Sequence, residues 1–542
     1  AGTVRDAPRW PRRSTAIPHL VRGDLTGRVL IDGEDIRARR PRDLADRIGF
    51  VFQDFEAQLF STDVSLEVAF GPENLGVERA EIVRRVERCL GMVRLSHLRH
   101  KAPAALSGGQ KQRLALASIL ALEPKILILD EPTSDLDPAG RRELLDAIGA
   151  LRRAGDLTLL LIDPETDEMG WADRLIVLDG GRIAMDGSPA TLWDRADALD
   201  ALGVKGFTLA TLARRLGVAE RWRDAESAAD GIRRRGWQAV AGAAEWLRAA
   251  DGAHAAGDVL LEVDDLIHRY PDGTEALAGV SCTIRRGEFV AILGQNGSGK
   301  TTLVKHLNGI LAPTAGEIRL AGQSLRGQPS TALSRRVGLV FQNPDHQIFA
   351  ERVRDEVAFG PRLQGLSEAD VRRRVEEALD AVGLADHGDA DPFILTKGSR
   401  QRVAVASTLA TKPDVIILDE PTTGLDHREL RGMMALIQRL NAAGHTIVII
   451  THAMDIAAAY ARRVILMQGG RILRDGSTRE VFADEAGIGR TGLTPPPVVQ
   501  VGNRLGVPAL TLDELVSGLS RTAGPCPPGR RAPNRRTSEP SA

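Results

Sequence analysis

The fold of this chain is decided by the segment Gly294-Gln295-Asn296-Gly297-Ser298-Gly299-Lys300-Thr301. The segment matches G-x-x-x-x-G-K-[ST], the phosphate-loop motif, in full. The apolar run Phe289–Leu293 precedes it and predicts a strand that is buried on both faces. Apolar side chains at helical spacing follow it and predict a helix, at Leu303, Val304, Leu307, Ile310 and Leu311. A strand, a glycine-rich turn and a helix in this order are the context that the motif requires.

The chemistry of this motif is the binding of a nucleoside triphosphate. Its glycines let successive backbone N–H groups face one anion, and the start of the following helix adds partial positive charge. We expect Lys300 to reach the β- and γ-phosphates and the hydroxyl of Thr301 to hold Mg²⁺. The next residue, Thr302, is also expected to bind the nucleotide. The sequence therefore predicts a site for ATP and Mg²⁺. The alternative is a glycine-rich turn that binds no ligand.

The chain contains one module twice, in constant register. The matching positions lie 289 residues apart and include Gln53 and Gln342, Leu106 and Leu395, and the segments Asp130–Thr133 and Asp419–Thr422. A period of this length is too long for a solenoid, so each copy is expected to be a domain.

Domain limits follow from this repeat and from composition. The two copies are predicted at residues 1–205 and 257–490. Residues 206–256 are rich in Ala and Arg and are expected to form an amphipathic helix and linker, with an arm that binds nucleic acid as the alternative. Residues 491–542 are a C-terminal extension, and its Pro- and Arg-rich end is expected to be disordered.

Charge and composition narrow the class of partner. The formal net charge of the 542 residues is -1, which argues against nucleic acid as the main partner. No run of about 18 apolar residues occurs, so no segment of this sequence is expected to span a membrane. The three cysteines form no C-x-x-C pair, which suits a reducing compartment.

Polar side chains follow two further strand-like runs of the second copy. The run Val415–Leu418 leads into Asp419 and Glu420, where Mg²⁺ needs an acidic partner and an attacking water needs a base. The run Thr446–Ile450 leads towards His452, which we expect to reach the γ-phosphate. The alternatives are surface acids at the end of a strand and an ordinary loop histidine.

Tyr270 is the candidate for contact with the base of the nucleotide. It is one of only two tyrosines and lies before the strand predicted at Phe289–Leu293. An aromatic ring at this place can stack on adenine, whereas a role in the core or in a hairpin is the alternative.

Several phrases of the sequence together resemble the nucleotide-binding domains of ABC transporters. They are GQNGSGKTT, FQNPDHQIF, LSGGQKQRLALAS, LILDEPTSDLD and IITH. The phrases FQNPDHQIFAERVRDEVAFGP and FQDFEAQLFSTDVSLEVAFGPENLG further resemble the energy-coupling factor ATPases, the paired ATPases of vitamin and metal-ion importers. The resemblance implies an α/β fold of the P-loop NTPase class. It implies two ABC-type domains, each with a RecA-like core, an antiparallel β subdomain and a helical subdomain.

In the ABC family, each ATP is held between the phosphate loop of one domain and the LSGGQ signature of the other. The resemblance implies one such sandwich, formed by pairing of the two halves of this chain. Catalytic roles are implied for Lys300, Gln342, Glu420 and His452, and contacts to Mg²⁺ for Thr301, Gln342 and Asp419. The first half would close the sandwich with Ser107, Gly108, Gly109 and Gln110.

The other sandwich lacks its main parts. The positions that match the phosphate loop are Arg5–Arg12, which contain two prolines and no glycine. Asp163 stands where the second copy has His452, and a carboxylate repels phosphate. The facing signature has changed to Leu395–Ser399, LTKGS. Two explanations stay open for the loop: a site that lost hydrolysis, or an N-terminal truncation or frame slip.

The resemblance also implies a membrane partner. The segments after Gln53 and Gln342 are where the family touches it, and Asn343–Phe349 is expected to move with the helical subdomain, although a plain loop is the alternative. We expect an ATPase on the cytoplasmic face of the cell membrane, working with a transmembrane coupling component and a substrate-binding component. The cargo is a vitamin, a vitamin precursor or a metal ion. The alternatives are a soluble twin-ABC ATPase that acts on ribosomes or DNA, and a scaffold that hydrolyses no ATP.

Overall fold

The computed structural model describes residues 26–133, 136, 138–154, 157–164, 166–252 and 257–521. The segment Arg5–Arg12 and the Pro- and Arg-rich end lie outside the described residues. The strands before residue 253 are β1 (Leu30–Ile31), β2 (Glu34–Asp35), β3 (Ile48–Val51), β4 (Ile126–Asp130), β5 (Thr158–Ile162), β6 (Leu175–Asp179), β7 (Arg182–Gly187) and β8 (Trp237–Ala239). The helices are α1 (Val64–Asn74), α2 (Arg79–Met92), α3 (Gly108–Leu120), α4 (Pro138–Ala154), α5 (Pro189–Trp193), α6 (Ala196–Ala201), α7 (Thr208–Arg215), α8 (Ala225–Arg234) and α9 (Ala243–Gly252).

The first half places its apolar runs in a parallel sheet. Strands β3, β4 and β5 pair in that order, and helices α1 to α4 pack against one face of the sheet. Two strands of the antiparallel subdomain, β1 and β2, lie within the described residues. The pairing of Leu30 with Asp35 in them repeats, at the same offset, the pairing of Arg319 with Ser324 in the second half.

The structure describes the second half without a gap, from residue 257 to residue 521. Its strands, with the last strand of the chain, are β9 (Val259–Arg269), β10 (Glu275–Arg285), β11 (Phe289–Leu293), β12 (Ala315–Leu320), β13 (Gln323–Ser324), β14 (Val337–Val340), β15 (Val415–Asp419), β16 (Thr446–Thr451), β17 (Arg463–Gln468), β18 (Arg471–Ser477) and β19 (Leu519–Arg521). The helices are α10 (Lys300–Leu307), α11 (Ser330–Leu333), α12 (Val353–Leu363), α13 (Glu368–Ala381), α14 (Lys397–Ala410), α15 (His427–Ala442), α16 (Met454–Tyr460), α17 (Thr478–Ala483), α18 (Glu485–Arg490), α19 (Pro497–Leu505) and α20 (Leu512–Ser517).

The predicted strand Phe289–Leu293 is confirmed as β11, inside a sheet of order β14-β15-β16-β11-β17-β18. All neighbouring pairs are parallel except β17 with the edge strand β18. Every residue of β11 is buried because helices cover one face of the sheet, while α10 and the antiparallel sheet β10-β9-β12-β13 cover the other. Parallel strands end on one edge, so the segments after β11, β15 and β16 meet there.

The helix after the glycine-rich loop is shorter than the apolar spacing predicts. Helix α10 ends at Leu307, and the side chain of Ile310 lies beyond it and is exposed. Gly309 has a φ of 74°, a left-handed conformation that ends a helix. The prediction that Ile310 and Leu311 continue the helical face is therefore wrong.

Residues 206–252, assigned above to a linker, fold together with the C-terminal extension. Strand β8 pairs antiparallel with β19, and helices α7, α8, α9, α19 and α20 bury a shared apolar core that includes Leu212, Ile232, Val501 and Leu515. We call these elements the C-terminal unit. The sequence RLGV stands at 215–218 and again at 504–507, so the repeat continues into the unit and each half contributes one part.

The two halves also contact each other reciprocally. Arg142 on α4 donates a hydrogen bond from Nη2 to the carbonyl oxygen of Gly492, at 2.9 Å. Arg428 on α15 donates from Nη2 to the carbonyl oxygen of Ala201, at 3.4 Å. Each half thus places the start of one helix against a segment near the end of the other half.

No helix in the described ranges is both long enough and apolar enough to cross a bilayer.

Candidate functional site

The phosphate loop joins β11 to α10 and is shaped by close approaches that exclude side chains. Gly299 caps α10 with a φ of 100°, and a Cβ there would lie 2.6 Å from the carbonyl oxygen of Ala276. A Cβ on Gly294 would lie 2.6 Å from the carbonyl oxygen of Met467. Glycine is therefore required at both positions, and the loop backbone can curve around an anion.

The lysine of the motif lies inside this loop. Lys300 is buried, and its Nζ donates hydrogen bonds to the carbonyl oxygens of Gly294, at 2.7 Å, and Gln295, at 2.9 Å. An ammonium group held at the centre of the loop is placed to meet the phosphates that the loop N–H groups face. The loop backbone from Gly294 to Gly299 thus surrounds the ammonium group of Lys300.

The end of β15 brings a carboxylate to the start of α10. Thr301 donates a hydrogen bond from Oγ1 to Oδ2 of Asp419, at 3.4 Å. Burial and the neighbouring charge of Glu420 raise the pKa of Asp419 to about 6, against the opposing charge of Lys300. A carboxylate in this position is stabilised by a nearby cation.

The residues present fit a Mg²⁺ ion. A hydroxyl and a carboxylate are oxygen ligands of the kind that Mg²⁺ prefers, and Mg²⁺ commonly takes its other ligands from phosphate and water. The described part of the chain contains no group of three or more His, Cys, Asp or Glu side chains that could hold a metal alone. Thr301 and Asp419 therefore suit an ion that arrives with a nucleotide.

The buried Glu420 pairs with the partly buried His452 beside the loop. His452 Nδ1 lies 2.8 Å from Oε1 of Glu420. Burial acts to lower the pKa of His452, but the charge of Glu420 and its hydrogen bond raise it by more, so that the pKa lies above its ordinary value. Glu420 has a φ of 47°, an uncommon conformation for a residue with a side chain, and its N–H donates to the carbonyl oxygen of Ile450.

Tyr270 lies next to the loop helix rather than in a separate core. Its hydroxyl is 3.2 Å from Oγ1 of Thr302, and its ring packs edge-on against His268. His268 in turn meets the buried His306, with 3.1 Å between Nδ1 and Nε2, and His306 Nδ1 is 2.7 Å from the carbonyl oxygen of Thr302. The sequence did not predict the histidine pair, and the four-residue step from Thr302 to His306 on a helix was its one local signal.

Two groups of predicted site residues are not joined to this cluster. The side chain of Gln342 is exposed and makes no hydrogen bond to Thr301 or Asp419 in the described part of the chain. Ser107 caps α3, where Gln110 N donates to its Oγ and Gln110 Oε1 accepts from Ser107 N. Among the described residues, no hydrogen bond or ion pair links this signature segment, which includes Gly108 and Gly109, to the phosphate loop.

The first half repeats part of the site with different chemistry. Glu131, the counterpart of Glu420, has the same φ of 47°, and its Oε2 accepts a hydrogen bond from Nε2 of Gln53 at 2.9 Å. Asp163 stands in the place of His452, and its side chain is buried. The two halves thus share backbone geometry at the acidic strand but differ in the side chain that faces it.

Comparisons with known proteins point to one family, and the sequence matches include segments of both halves. The sequence profile described as ABC transporter matches residues 14–134 and 277–423. A protein of Caldanaerobacter subterraneus subsp. tengcongensis that carries the name ABC transporter ATP-binding protein is 44% identical over 510 residues, 93% of this chain and 90% of that protein. A protein of the same name from Methanosarcina acetivorans is 39% identical over 494 residues, 89% of this chain and 80% of that protein. The solved structure of CbiO1 from Clostridium perfringens, described as part of the ABC transporter complex CbiONQ, is 39% identical, covers 43% of this chain and 95% of that chain, and has a TM-score of 0.40.

The raised pKa of Asp419 predicts a pH-dependent stability of the protein without nucleotide. Because the folded-state pKa, about 6, exceeds that of an unfolded aspartate, the contribution of Asp419 to the free energy of unfolding is complete below about pH 4 and is lost as the pH rises through about 6. Asp419→Asn cannot ionise. We expect it to raise the midpoint of thermal unfolding, relative to the unsubstituted protein, more at pH 7 than at pH 4. Calorimetry without Mg²⁺ measures this, and an equal difference at both pH values would contradict it.

Proposed function

The chain belongs to the family of ABC transporter ATP-binding proteins, and from this premise we propose that it hydrolyses ATP at one competent site to drive a membrane importer of the energy-coupling factor type. ABC ATPase domains bind and hydrolyse ATP. One observation carries the assignment of the site: the phosphate loop, Asp419 and the Glu420–His452 pair meet at the carboxyl ends of neighbouring strands in the second half.

The geometry supports direct attack of water on the γ-phosphate. Loop N–H groups bind the phosphates, and Lys300 exchanges its two loop carbonyls for phosphate oxygens. Glu420 takes the proton of the attacking water, and His452, held by Glu420, contacts the γ-phosphate. Thr301 and Asp419 would hold Mg²⁺, with Gln342 as the further predicted ligand, and the ion would supply positive charge against the phosphates. Tyr270 stacks on the adenine.

The first half completes the site with its signature. Ser107 and the N–H groups of Gly108, Gly109 and Gln110 lie at the start of the thirteen-residue helix α3, where backbone donors favour a phosphate. The reciprocal contacts of Arg142 and Arg428 support a pairing in which each half faces the other in opposite directions. ATP between the halves then holds them together, and hydrolysis releases them.

The proposal of an importer draws on exposed aromatic pairs that occur in both halves. The rings of Phe60 and Phe70 are 4.5 Å apart, and those of Phe349 and Phe359 are 4.8 Å apart, both edge to face. All four side chains are exposed, Phe60 and Phe349 each at 61%. In the first half the pair borders a groove of about 630 Å³. Repeated apolar surfaces of this kind mark contacts with a partner.

Buried carboxylates hold both aromatic pairs in position. Glu67 Oε2 accepts hydrogen bonds from the backbone N–H groups of Phe60 and Ser61. Glu356 Oε2 does the same for Phe349 and Ala350. Because these segments follow Gln53 and Gln342 in the chain, they suit two helical segments of a transmembrane coupling component. That component and a substrate-binding component would place this chain on the cytoplasmic face of the membrane, with a vitamin, a vitamin precursor or a metal ion as cargo.

Glu420→Gln tests the catalytic assignment, with Glu131→Gln as its matched control. The two glutamates share their backbone conformation at the end of equivalent strands, and they differ in partner, which is His452 for Glu420 and Gln53 for Glu131. We expect Glu420→Gln to lower the turnover number for ATP by about 100-fold or more, because the general base is lost, and Glu131→Gln to change it little. Steady-state phosphate release by the full chain measures both. A large loss in Glu131→Gln would mean that the first half also hydrolyses ATP.

Ser107→Ala tests the sandwich across the halves, with Thr396→Ala as its control. Each residue caps a helix through a backbone N–H, from Gln110 and Ser399 respectively, so each substitution costs about 1 kcal/mol of stability. Only Ser107 faces the competent site in the proposed pairing. We expect Ser107→Ala to reduce kcat/KM for ATP by about tenfold and Thr396→Ala to leave it unchanged. Equal effects of the two substitutions would refute the sandwich.

The double substitution Phe60→Ala and Phe349→Ala tests the membrane contact. We expect the fraction of the chain that sediments with membranes of its native host to fall sharply, while ATP turnover of the isolated chain stays the same, because both rings are exposed and lie outside the ATP site. Phe393→Ala, which removes another exposed ring of the second half, is the control. Undiminished membrane association of the double variant would argue against this surface as the docking site.

A further inference from the structure

Asp163 stands at the position that His452 has in the second half, and it makes contacts of its own. Its side chain is 1% exposed, and its Oδ2 accepts a hydrogen bond from Oγ1 of Thr133 at 2.5 Å. Its Oδ1 lies 3.7 Å from Nη2 of Arg141. The same Nη2 donates to Oγ1 of Thr133 at 3.0 Å. The three side chains thus form one network at the end of β5 and the start of α4.

The two halves differ at both ends of this network. The half that has Asp163 has Arg141, whereas the half that has His452 has Leu430 at the position matching Arg141. A buried carboxylate is costly without a cationic partner, so the arginine and the aspartate belong together physically. Thr133, by contrast, has a threonine, Thr422, as its counterpart.

The start of α4 faces the ATP site of the other half. Arg142, the residue after Arg141, donates its hydrogen bond to the carbonyl oxygen of Gly492. Gly492 packs directly on the phosphate loop, because a Cβ there would collide with the side chain of Gln295. In a second contact, Lys205 Nζ reaches Oδ2 of Asp455 at 3.2 Å, three residues after His452. The first half therefore contacts two segments that lie next to the site.

The guanidinium of Arg141 opposes the effect of Glu420 on His452 from the other half. Against the effect of burial, the charge of Glu420 and its hydrogen bond raise the pKa of His452, and the charges of Lys300 and Arg141 lower it by less. Arginine stays protonated at every pH of interest, so this is a permanent positive charge.

We propose that Arg141 is a positioning residue of the ATP site in the second half, and that Asp163 and Thr133 hold it there. The inference rests on the proposed function of that site. The arginine contributes positive charge from the opposite half only while α4 lies against the segment around Gly492, so it links closure of the halves to hydrolysis. Asp163, which stands in the first half where the second half has His452, thereby supports the ATP site of the second half.

Kinetics of the full chain test this proposal. ATP turnover is measured against ATP concentration for Arg141→Leu, Arg141→Lys, Asp163→Asn and the double variant Arg141→Leu/Asp163→Asn. We expect Arg141→Leu to lower kcat by about tenfold with little change in KM. Arg141→Lys, which keeps the charge, should restore most of the loss. Asp163→Asn should lower kcat by a smaller factor.

The double variant keeps the test valid if the buried carboxylate alone destabilises the fold. It removes the carboxylate with its partner, so we expect the thermal unfolding midpoint of the unsubstituted protein and the kcat of Arg141→Leu, since the two substitutions act through one network. Arg153→Leu, an exposed arginine on the same helix, is the control and should leave kcat unchanged.

Two outcomes separate this proposal from the function on which it rests. If Glu420→Gln lowers turnover but Arg141→Leu and the double variant retain the kcat of the unsubstituted protein, the role of Arg141 is refuted and the site assignment stands. The role is also refuted if Arg141→Lys loses as much kcat as Arg141→Leu, since the charge is then immaterial. If Glu420→Gln has full turnover, the site assignment fails and this proposal fails with it.

Discussion

The close approach of backbone to backbone around the phosphate loop is the constraint on which the second half depends. Gly299 faces the carbonyl oxygen of Ala276, and Gly470 donates its N–H to the carbonyl oxygen of Ser298. The loop is therefore clamped between β10 and the turn after β17, and its N–H groups have a fixed direction before any ligand arrives. Such preorganisation matters because donors that need no rearrangement stabilise charge most effectively. The remaining parts, Asp419 and the Glu420–His452 pair, are brought to this fixed point by the parallel order of the sheet.

Local patterns of the sequence were sufficient for the loop and the strands, and insufficient for contacts made over long distances. Runs such as Phe289–Leu293 predicted buried strands because a strand covered on both faces has no polar side to show. The end of α10 was missed because apolar spacing continued past Gly309, whose backbone conformation stops the helix. The C-terminal unit was missed because β8 and β19 are three-residue strands far apart in the chain, and neither is marked by periodicity. The contact between His268 and His306 was missed for the same reason, because the two residues are 38 positions apart in the chain.

Arg141 shows a different limit of single positions in a sequence. An arginine near the start of a surface helix is ordinarily solvated, and nothing in its own neighbourhood marks it as part of a site. The informative signal was the comparison of the two copies, in which Arg141 and Asp163 replace Leu430 and His452 together. An internal repeat thus provides a reference for each position, and paired differences between copies point to side chains that touch.

Fusion into one chain allows the two paired halves to be unequal. In a symmetric dimer of identical subunits every substitution enters both sites, so an aspartate in the place of His452 would remove the histidine from each of them. Fusion lets the first half carry Asp163 while the second keeps its histidine. The C-terminal unit, to which both halves contribute, keeps the partners at a fixed ratio and a high effective concentration. Under that condition a side chain of the first half can change without changing the matching position of the second half, as Asp163 and His452 illustrate.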